Sequence, residues 1–260
     1  MNENVVASAD WLADNLDDVR IVDVRDAWEY DGIGHVPGAV NVPFDAFRSD
    51  DDADAGMLPG ADRWADLVGG AGITADDTVV AYDDTHGVFA ARFLVTAECY
   101  GHEDLRLLDG DFSSWMRDHE TSSETPEVTP ASYEVRAPAD SPLVDREAVE
   151  RAVEDPNAVL VDTRDDWEFA EGHIPGAVNL DWKALVDEAT RGLKPREELR
   201  TVLESHGITP DKRVVLYCNT ARRISHTYVV LSSLGYPELD FYEGSLTEWE
   251  AAGGPLETDE

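Results

Sequence analysis

A long internal repeat constrains this chain more than any other feature. Ile21-Val22-Asp23-Val24-Arg25 returns 139 residues on as Leu160-Val161-Asp162-Thr163-Arg164. His35-Val36-Pro37-Gly38-Ala39-Val40-Asn41 returns 138 residues on as His173-Ile174-Pro175-Gly176-Ala177-Val178-Asn179. Val79-Val80-Ala81-Tyr82-Asp83 returns at an interval of 135 as Val214-Val215-Leu216-Tyr217-Cys218. Asp109-Gly110 and Trp115 return at 134 as Glu243-Gly244 and Trp249. The interval drifts so little that both copies keep one order and spacing of elements. A unit of this length is far beyond the roughly 20–50 residues of a solenoid repeat, and it predicts two tandem domains.

Each copy opens on a helix, with Ser8 or Asp10 as cap for residues 11–16 and Asp145 as cap for residues 146–153. A β-rich run ending in Asp-x-Arg follows, then a Gly-His-x-Pro-Gly turn and a second helical stretch. Next come the strand ending at Asp83 or Cys218, its helix (90–100 in the first copy) and a last strand at 106–108 or 240–242. Strands alternating with helices predict an α/β fold, each domain a mostly parallel sheet flanked by helices. The boundaries fall at 1–120 and 143–260. Residues 121–142, rich in Ser, Thr, Pro and Glu, are expected to be a linker, and 50–54 a solvated acidic loop.

The stretch 214–228 carries the chemistry. Val214-Val215-Leu216-Tyr217 is a buried parallel strand by composition, and the apolar spacing after Arg223 predicts a helix, so Cys218 stands where strand gives way to helix. Ligands of open α/β sheets bind at the carboxyl ends of strands. A helix N-terminus adds unpaired N–H groups and partial positive charge, which favour a thiolate. A lone Cys at such a place is as readily a small core residue. Arg222 and Arg223 following within a turn have no packing rationale and point to a nucleophile site.

The two copies control for one another. Asp23, Arg25, Glu29 and His35 match Asp162, Arg164, Glu168 and His173, yet Asp83 stands where Cys218 stands. The shared set is expected to hold the fold, with Arg164, Glu168 and His173 in a buried hydrogen-bonded network. Features confined to the second copy weigh toward function: Cys218, Arg222, Arg223, and Trp182 where the first copy has Phe44. Arg164, Glu168 and Trp182 are the candidates for support around the nucleophile. Cys99, among Phe93, Leu94 and Val95, is expected to pack. His226 suits a base by type and a cap or surface role by position, and both readings stand. The seven histidines show no zinc spacing and no glycine-rich phosphate loop follows a strand, so neither metal nor cofactor is called for.

Charge narrows the partners. The net charge is −36, from 20 basic against 56 acidic residues, which argues against nucleic acid and anionic lipid. The acids are spread through apolar-patterned segments, as in a protein suited to concentrated salt, where screening shortens self-repulsion to about 3 Å at 1 M. No apolar run approaches the ~18 residues of a membrane span. Met1-Asn2-Glu3-Asn4 lacks the basic start of a secretory signal, and two cysteines give no sign of an oxidising compartment; a cytoplasmic protein is expected.

Taken together, the chain resembles the two-domain rhodaneses, with the acidic composition of a haloarchaeal member. Three signals carry the resemblance across nearly the whole chain: Asp-x-Arg…Glu…Gly-His-Ile-Pro-Gly-Ala in the second copy, Cys218 with Arg223 five residues on, and Glu243-Gly244-Ser245…Trp249. It implies a thiosulfate sulfurtransferase with a non-catalytic first copy and a catalytic second one. Cys218 would form the persulfide and Arg223 would bind the donor anion, with Arg222 beside it. Family loops often have Gly where Ala221 stands and a basic residue where Asn219 stands; Arg222 is a replacement for that charge. Thiosulfate would give its outer sulfur to the Cys218 thiolate and release sulfite, and cyanide or a thiol would take the sulfur on. Partners are then a small-molecule donor and acceptor, and the protein a monomer. The rivals are a 3-mercaptopyruvate sulfurtransferase, a Cys-dependent phosphatase, whose Arg falls one position later, and a non-catalytic persulfide carrier or sensor.

Overall fold

The computed structural model describes residues 1, 3–51, 55–138 and 141–259. Positions 52–54 of the acidic loop and 139–140 of the linker lie outside the described residues. The chain divides into two units, Met1–Ser141 with Asp187–Leu193, and Pro142–Val186 with Lys194–Glu260. Among the described residues no helix is long and apolar enough to cross a membrane.

The first unit runs β1 (Val6–Ala7), α1 (Ala9–Asp14), β2 (Arg20–Asp23), α2 (Ala27–Ile33), β3 (Val40–Asn41), α3 (Ala61–Gly70), β4 (Val79–Tyr82), α4 (Val88–Cys99), β5 (Leu105–Leu108) and α5 (Phe112–Asp118). Ser8 caps α1, its hydroxyl accepting the Trp11 N–H at 3.1 Å. The strands lie in the order β1-β5-β4-β2-β3, every pair parallel. Such a sheet is covered on both faces, which is why all four residues of β4 are buried and apolar or aromatic. Helix α4 is buried almost continuously from Val88 to Ala97, so its start lies two residues earlier than apolar spacing alone locates it.

The second unit runs α6 (Arg146–Val153), β6 (Ala158–Asp162), α7 (Asp166–Glu171), β7 (Val178–Asn179), α8 (Arg196–Ser205), β8 (Arg213–Tyr217), α9 (Arg222–Ser233), β9 (Leu239–Phe241) and α10 (Ser245–Ala251). Its strands lie in the order β7-β6-β8-β9, again all parallel. A single parallel bridge, Leu143 to Phe241, stands where β1 stands in the first unit. The register pairs Asp162 with Tyr217, so the Asp-x-Arg segment and the Cys218 loop leave the same carboxyl edge of the sheet. Trp249 of α10 and Tyr217 share one core cluster, as Trp115 and Tyr82 do in the first unit.

Residues 121–138 are fastened to the first unit rather than free. The Ala131 N–H donates to the Gly69 carbonyl at 2.8 Å and the Arg136 N–H to the Tyr100 carbonyl at 3.0 Å. Tyr133 is buried beside Trp64, ring centroids 6.3 Å apart. Gly69 is needed for that approach, since a Cβ there would sit 2.6 Å from the Ala131 carbonyl oxygen. Polar composition predicts a linker here, and Tyr133 with these backbone bonds is what fastens it to the first unit.

Candidate active site

The turn between β8 and α9 consists of Cys218, Asn219, Thr220 and Ala221. Cys218 is 1% exposed. Its N–H donates to the Ser245 hydroxyl at 3.1 Å and its carbonyl accepts the Leu246 N–H at 2.9 Å, so the start of α10 holds the residue's backbone at both ends. Ser245 in turn donates to the Tyr242 carbonyl at 2.9 Å. The Thr247 hydroxyl donates to the Asn219 carbonyl at 2.9 Å. Ala221, the residue before α9, takes φ +63, the left-handed region that costs an L-residue about 1–2 kcal/mol. In the first unit, whose turn is one residue longer, the residue before α4 is Gly87, at φ +82, and His86 ahead of it takes φ +55. Such a φ is the physical reason for glycine before the helix, and the Cys218 loop forms without it.

The matching turn of the first unit shows what such a loop is built to hold. Both carboxylate oxygens of Asp83 face backbone donors: Oδ1 accepts the N–H groups of Thr85 (2.7 Å) and Gly87 (2.8 Å), and Oδ2 those of Phe89 (2.7 Å) and Ala90 (3.0 Å). Burial pushes the Asp83 carboxyl up, and the four donors oppose that rise. The strand-to-helix turn is therefore a concave nest of N–H groups occupied by the chain's own side chain. Arg191 closes over it, its Nε lying 2.8 Å from both oxygens of Asp111.

Glu168 organises the cationic side of the Cys218 turn. Its carboxylate receives the Arg223 guanidinium in a two-pronged contact, Nη1 to Oε2 and Nη2 to Oε1, the latter at 3.0 Å. Asn219 Nδ2 donates to Oε1 as well, at 2.9 Å. The bond from Arg223 holds the Glu168 carboxyl down to about 2. Burial disfavours the Arg223 charge, but Glu168 and the neighbouring Cys218 more than offset this and raise its pKa. Asp165 Oδ2 lies 3.6 Å from Arg223 Nη1, and Asp165 also takes the Lys183 ammonium. Arg222, one residue earlier, is exposed.

The other sequence candidates separate into two groups. Arg164 is a fold residue: it is 4% exposed, donates to both oxygens of Asp162 through Nε (3.0 and 2.9 Å) and to the Gly172 carbonyl at 2.6 Å. Arg25 makes the same bonds to Asp23 and Gly34. His173 likewise stacks on Phe169, centroids 3.7 Å apart, as His35 stacks on Tyr30. Glu168 does not fit that group alone. Like Glu29, it accepts the N–H of its helix cap, here Asp165 at 3.2 Å, but its bonds to Asn219 and Arg223 belong to the second copy. Trp182 lies against His226, ring centroids 5.1 Å apart. His226 is fully buried, which removes the surface role its position allowed. Ser245 and Asn219 are the residues that motif reading undervalued: one lies 27 positions from the nucleophile candidate and the other 51 from its carboxylate partner.

Comparison with known proteins follows the same division of the chain. Residues 8–118 and 145–252 each match the rhodanese-like domain. A putative thiosulfate sulfurtransferase of Haloferax volcanii is 34% identical, covering 98% of this chain and 96% of that protein. The sulfur carrier protein TtuD of Thermus thermophilus is 35% identical over 94% of this chain and 93% of its own length. Among solved structures, the 3-mercaptopyruvate sulfotransferase SseA of Escherichia coli superposes with a TM-score of 0.83 at 27% identity, covering 93% of this chain and 98% of that one.

Proposed function

This chain belongs to the rhodanese-like family, and its relatives include proteins named thiosulfate sulfurtransferase; from that premise we propose that it moves the outer sulfur of thiosulfate through a persulfide on Cys218. The observation that carries the reading is the pair of matching turns. In the first copy a nest of backbone N–H groups receives the Asp83 carboxylate; in the second the residue in that place is a cysteine, with Arg223 five residues on and held by Glu168. A turn shaped for an anion suits a thiolate and the persulfide anion that replaces it. The first copy, with the nest filled by its own carboxylate, is then non-catalytic.

The steps balance without a cofactor. The Cys218 thiolate attacks the outer sulfur of thiosulfate, the sulfur–sulfur bond of the donor breaks, and sulfite leaves with the electron pair. A thiolate or cyanide then attacks the terminal persulfide sulfur and Cys218 is released as thiolate. Arg223 and Arg222 supply positive charge for the donor's oxyanion and for departing sulfite. Because Glu168 spans Arg223 through Nη1 and Nη2, the donor meets the remaining edge of the guanidinium, which a planar fork with five N–H groups permits. Glu168, Asp165 and Asn219 hold that fork in position.

The proposed protein is a cytoplasmic monomer working in concentrated salt, with small-molecule donor and acceptor and no nucleic-acid or membrane partner. A second reading, a persulfide carrier that hands sulfur to another protein, is supported by the likeness to a sulfur carrier protein. Turnover of thiosulfate and cyanide to sulfite and thiocyanate is the test. Wild-type turnover with none in Cys218→Ser supports the enzyme. A stable persulfide without turnover to any small acceptor favours the carrier, and turnover retained in Cys218→Ser refutes both.

A further inference from the structure

Strand β6 ends at Asp162, and the next residue is Thr163, where the first copy has Val24. Thr163 is 0% exposed, and among the described residues its hydroxyl has no hydrogen-bond partner. A buried hydroxyl without a partner forfeits its bonds to water and so costs stability. Valine has nearly the same shape without that cost, and Val24 is as deeply buried at the equivalent place. The fold alone therefore calls for no hydroxyl here.

Register and pleat place that hydroxyl beside Cys218. β6 and β8 pair Leu160 with Val215 and Asp162 with Tyr217, and the Thr163 N–H donates to the Tyr217 carbonyl at 3.1 Å. One step along the ladder Thr163 stands opposite Cys218. Paired residues of adjacent parallel strands share a face of the sheet, and successive residues alternate between faces. Leu160, Val215 and Tyr217 lie in the core cluster on one face, so Val161 with Leu216, and then Thr163 with Cys218, point to the other. The first copy identifies that face: Asp83, in the place of Cys218, turns its carboxylate to the N–H groups at the start of α4. In the second copy it is the face of α9. Neighbouring strands lie about 4.8 Å apart, so rotation about the Cα–Cβ bond of Cys218 brings its sulfur within reach of the Thr163 hydroxyl. Asn179 fixes the backbone on either side of Thr163, its Nδ2 donating to the carbonyls of Asp162 (3.2 Å) and Arg164 (3.0 Å).

We propose that the Thr163 hydroxyl donates a hydrogen bond to the Cys218 sulfur whenever that sulfur is a thiolate, before it attacks the sulfur donor and again when the acceptor has released it. The proposal rests on the reading of Cys218 as the nucleophile and adds a catalytic side chain that touches the reacting atom. A neutral thiol is a weak acceptor, whereas a charged sulfur makes the stronger, charge-assisted bond, so the bond forms as the charge does. The proton stays on the Thr163 oxygen throughout. The first copy keeps valine because four backbone N–H groups already serve the Asp83 carboxylate.

The test is alkylation of the full chain by iodoacetamide across a pH series in molar KCl, followed on the peptide containing Cys218. Thr163→Val should move the midpoint of that profile up by about one pH unit, a tenfold loss of thiolate at any pH below it. Thr163→Ser keeps the hydroxyl and should stay near wild type. The titratable and charged groups on the elements around the turn are Arg223 and His226 of α9, Asp165 and Glu168 beside α7, Glu248 of α10 and the Asp162–Arg164 pair. All are shared by wild type and variants, so the difference reports the hydroxyl. For thiosulfate, kcat/KM at such a pH should fall only about threefold in Thr163→Val, because a sulfur that holds its proton more tightly is also the better nucleophile. In a Cys218→Ala background, with no sulfur to receive the bond, Thr163→Val should lose no stability in urea unfolding. An unshifted midpoint in Thr163→Val overturns the proposal. So does a loss of stability, or a failure to fold, in the Cys218→Ala background, since the hydroxyl would then have another partner. A shifted midpoint in a protein that takes no sulfur from thiosulfate keeps the hydrogen bond and refutes the persulfide reading. Sulfur transfer with an unshifted midpoint does the reverse.

Discussion

Replacing Glu168 by Gln removes one charge from the contact that organises the Cys218 turn and leaves the side chain's size almost unchanged. The carboxyl falls from 4.5 to about 2 in the folded protein, chiefly through its bond with Arg223. At full value that difference corresponds to about 3 kcal/mol. The Glu168 side chain is 13% exposed and solvent screening weakens the pair, which reduces the expected loss to about 1–2 kcal/mol. The sign follows from the direction of the shift. A carboxyl depressed in the folded state stabilises the fold above its unfolded value, about 4.5, and that contribution is lost as pH falls through about 2. Urea unfolding in molar KCl should therefore place Glu168→Gln about 1–2 kcal/mol below wild type at neutral pH, with more than half of the gap gone by about pH 3. Arg223 keeps Asp165 as a partner, so the variant is expected to fold. A gap of the same size at both pH values, or none at neutral pH, would refute the assignment of Glu168 as the charged anchor of Arg223.

Other perturbations address the remaining parts of the site. Arg223→Lys keeps the charge but loses the fork, and should lower kcat/KM for thiosulfate by about ten- to a hundred-fold; Arg222→Ala should cost less and depend more on salt, and the opposite ranking would make Arg222 the donor ligand. Ala221→Gly should raise stability by up to about 1 kcal/mol in urea unfolding, because φ +63 is strained for alanine; a loss would mean that packing of its buried methyl group outweighs the strain. With a net charge of −36, the fold should weaken as KCl is dialysed away, and equal melting temperatures in dilute and molar KCl would contradict a protein suited to salt.

The fold was legible because its determinants are local and occur twice. Period, caps and apolar runs placed α6 at Arg146–Val153 without error and set Cys218 between β8 and α9. Arg164 was recognisable as a fold residue because Arg25 repeats it. What stayed hidden depends on the register of β6 against β8, which no local pattern encodes. Glu168 meets Arg223 across 55 positions, and its shared capping-box role masked a second contact found in one copy only. Ser245 reaches Cys218 across 27 positions and takes φ +52, which no serine advertises. His226 was open between base and surface because α9 reads as amphipathic from its first turn, whereas the helix is buried from Ile224 through Ser233.

Everything functional in this account depends on one bond, between the Cys218 sulfur and a sulfur taken from the donor. The most direct measurement is peptide mass analysis of the full chain after brief exposure to thiosulfate without acceptor, under non-reducing conditions. The peptide containing Cys218 should gain about 32 Da, one sulfur, and lose it again on adding cyanide, while the peptide containing half-buried Cys99 stays unmodified. No gain on Cys218, or a gain on Cys99 that survives Cys218→Ser and accounts for turnover, would contradict the account.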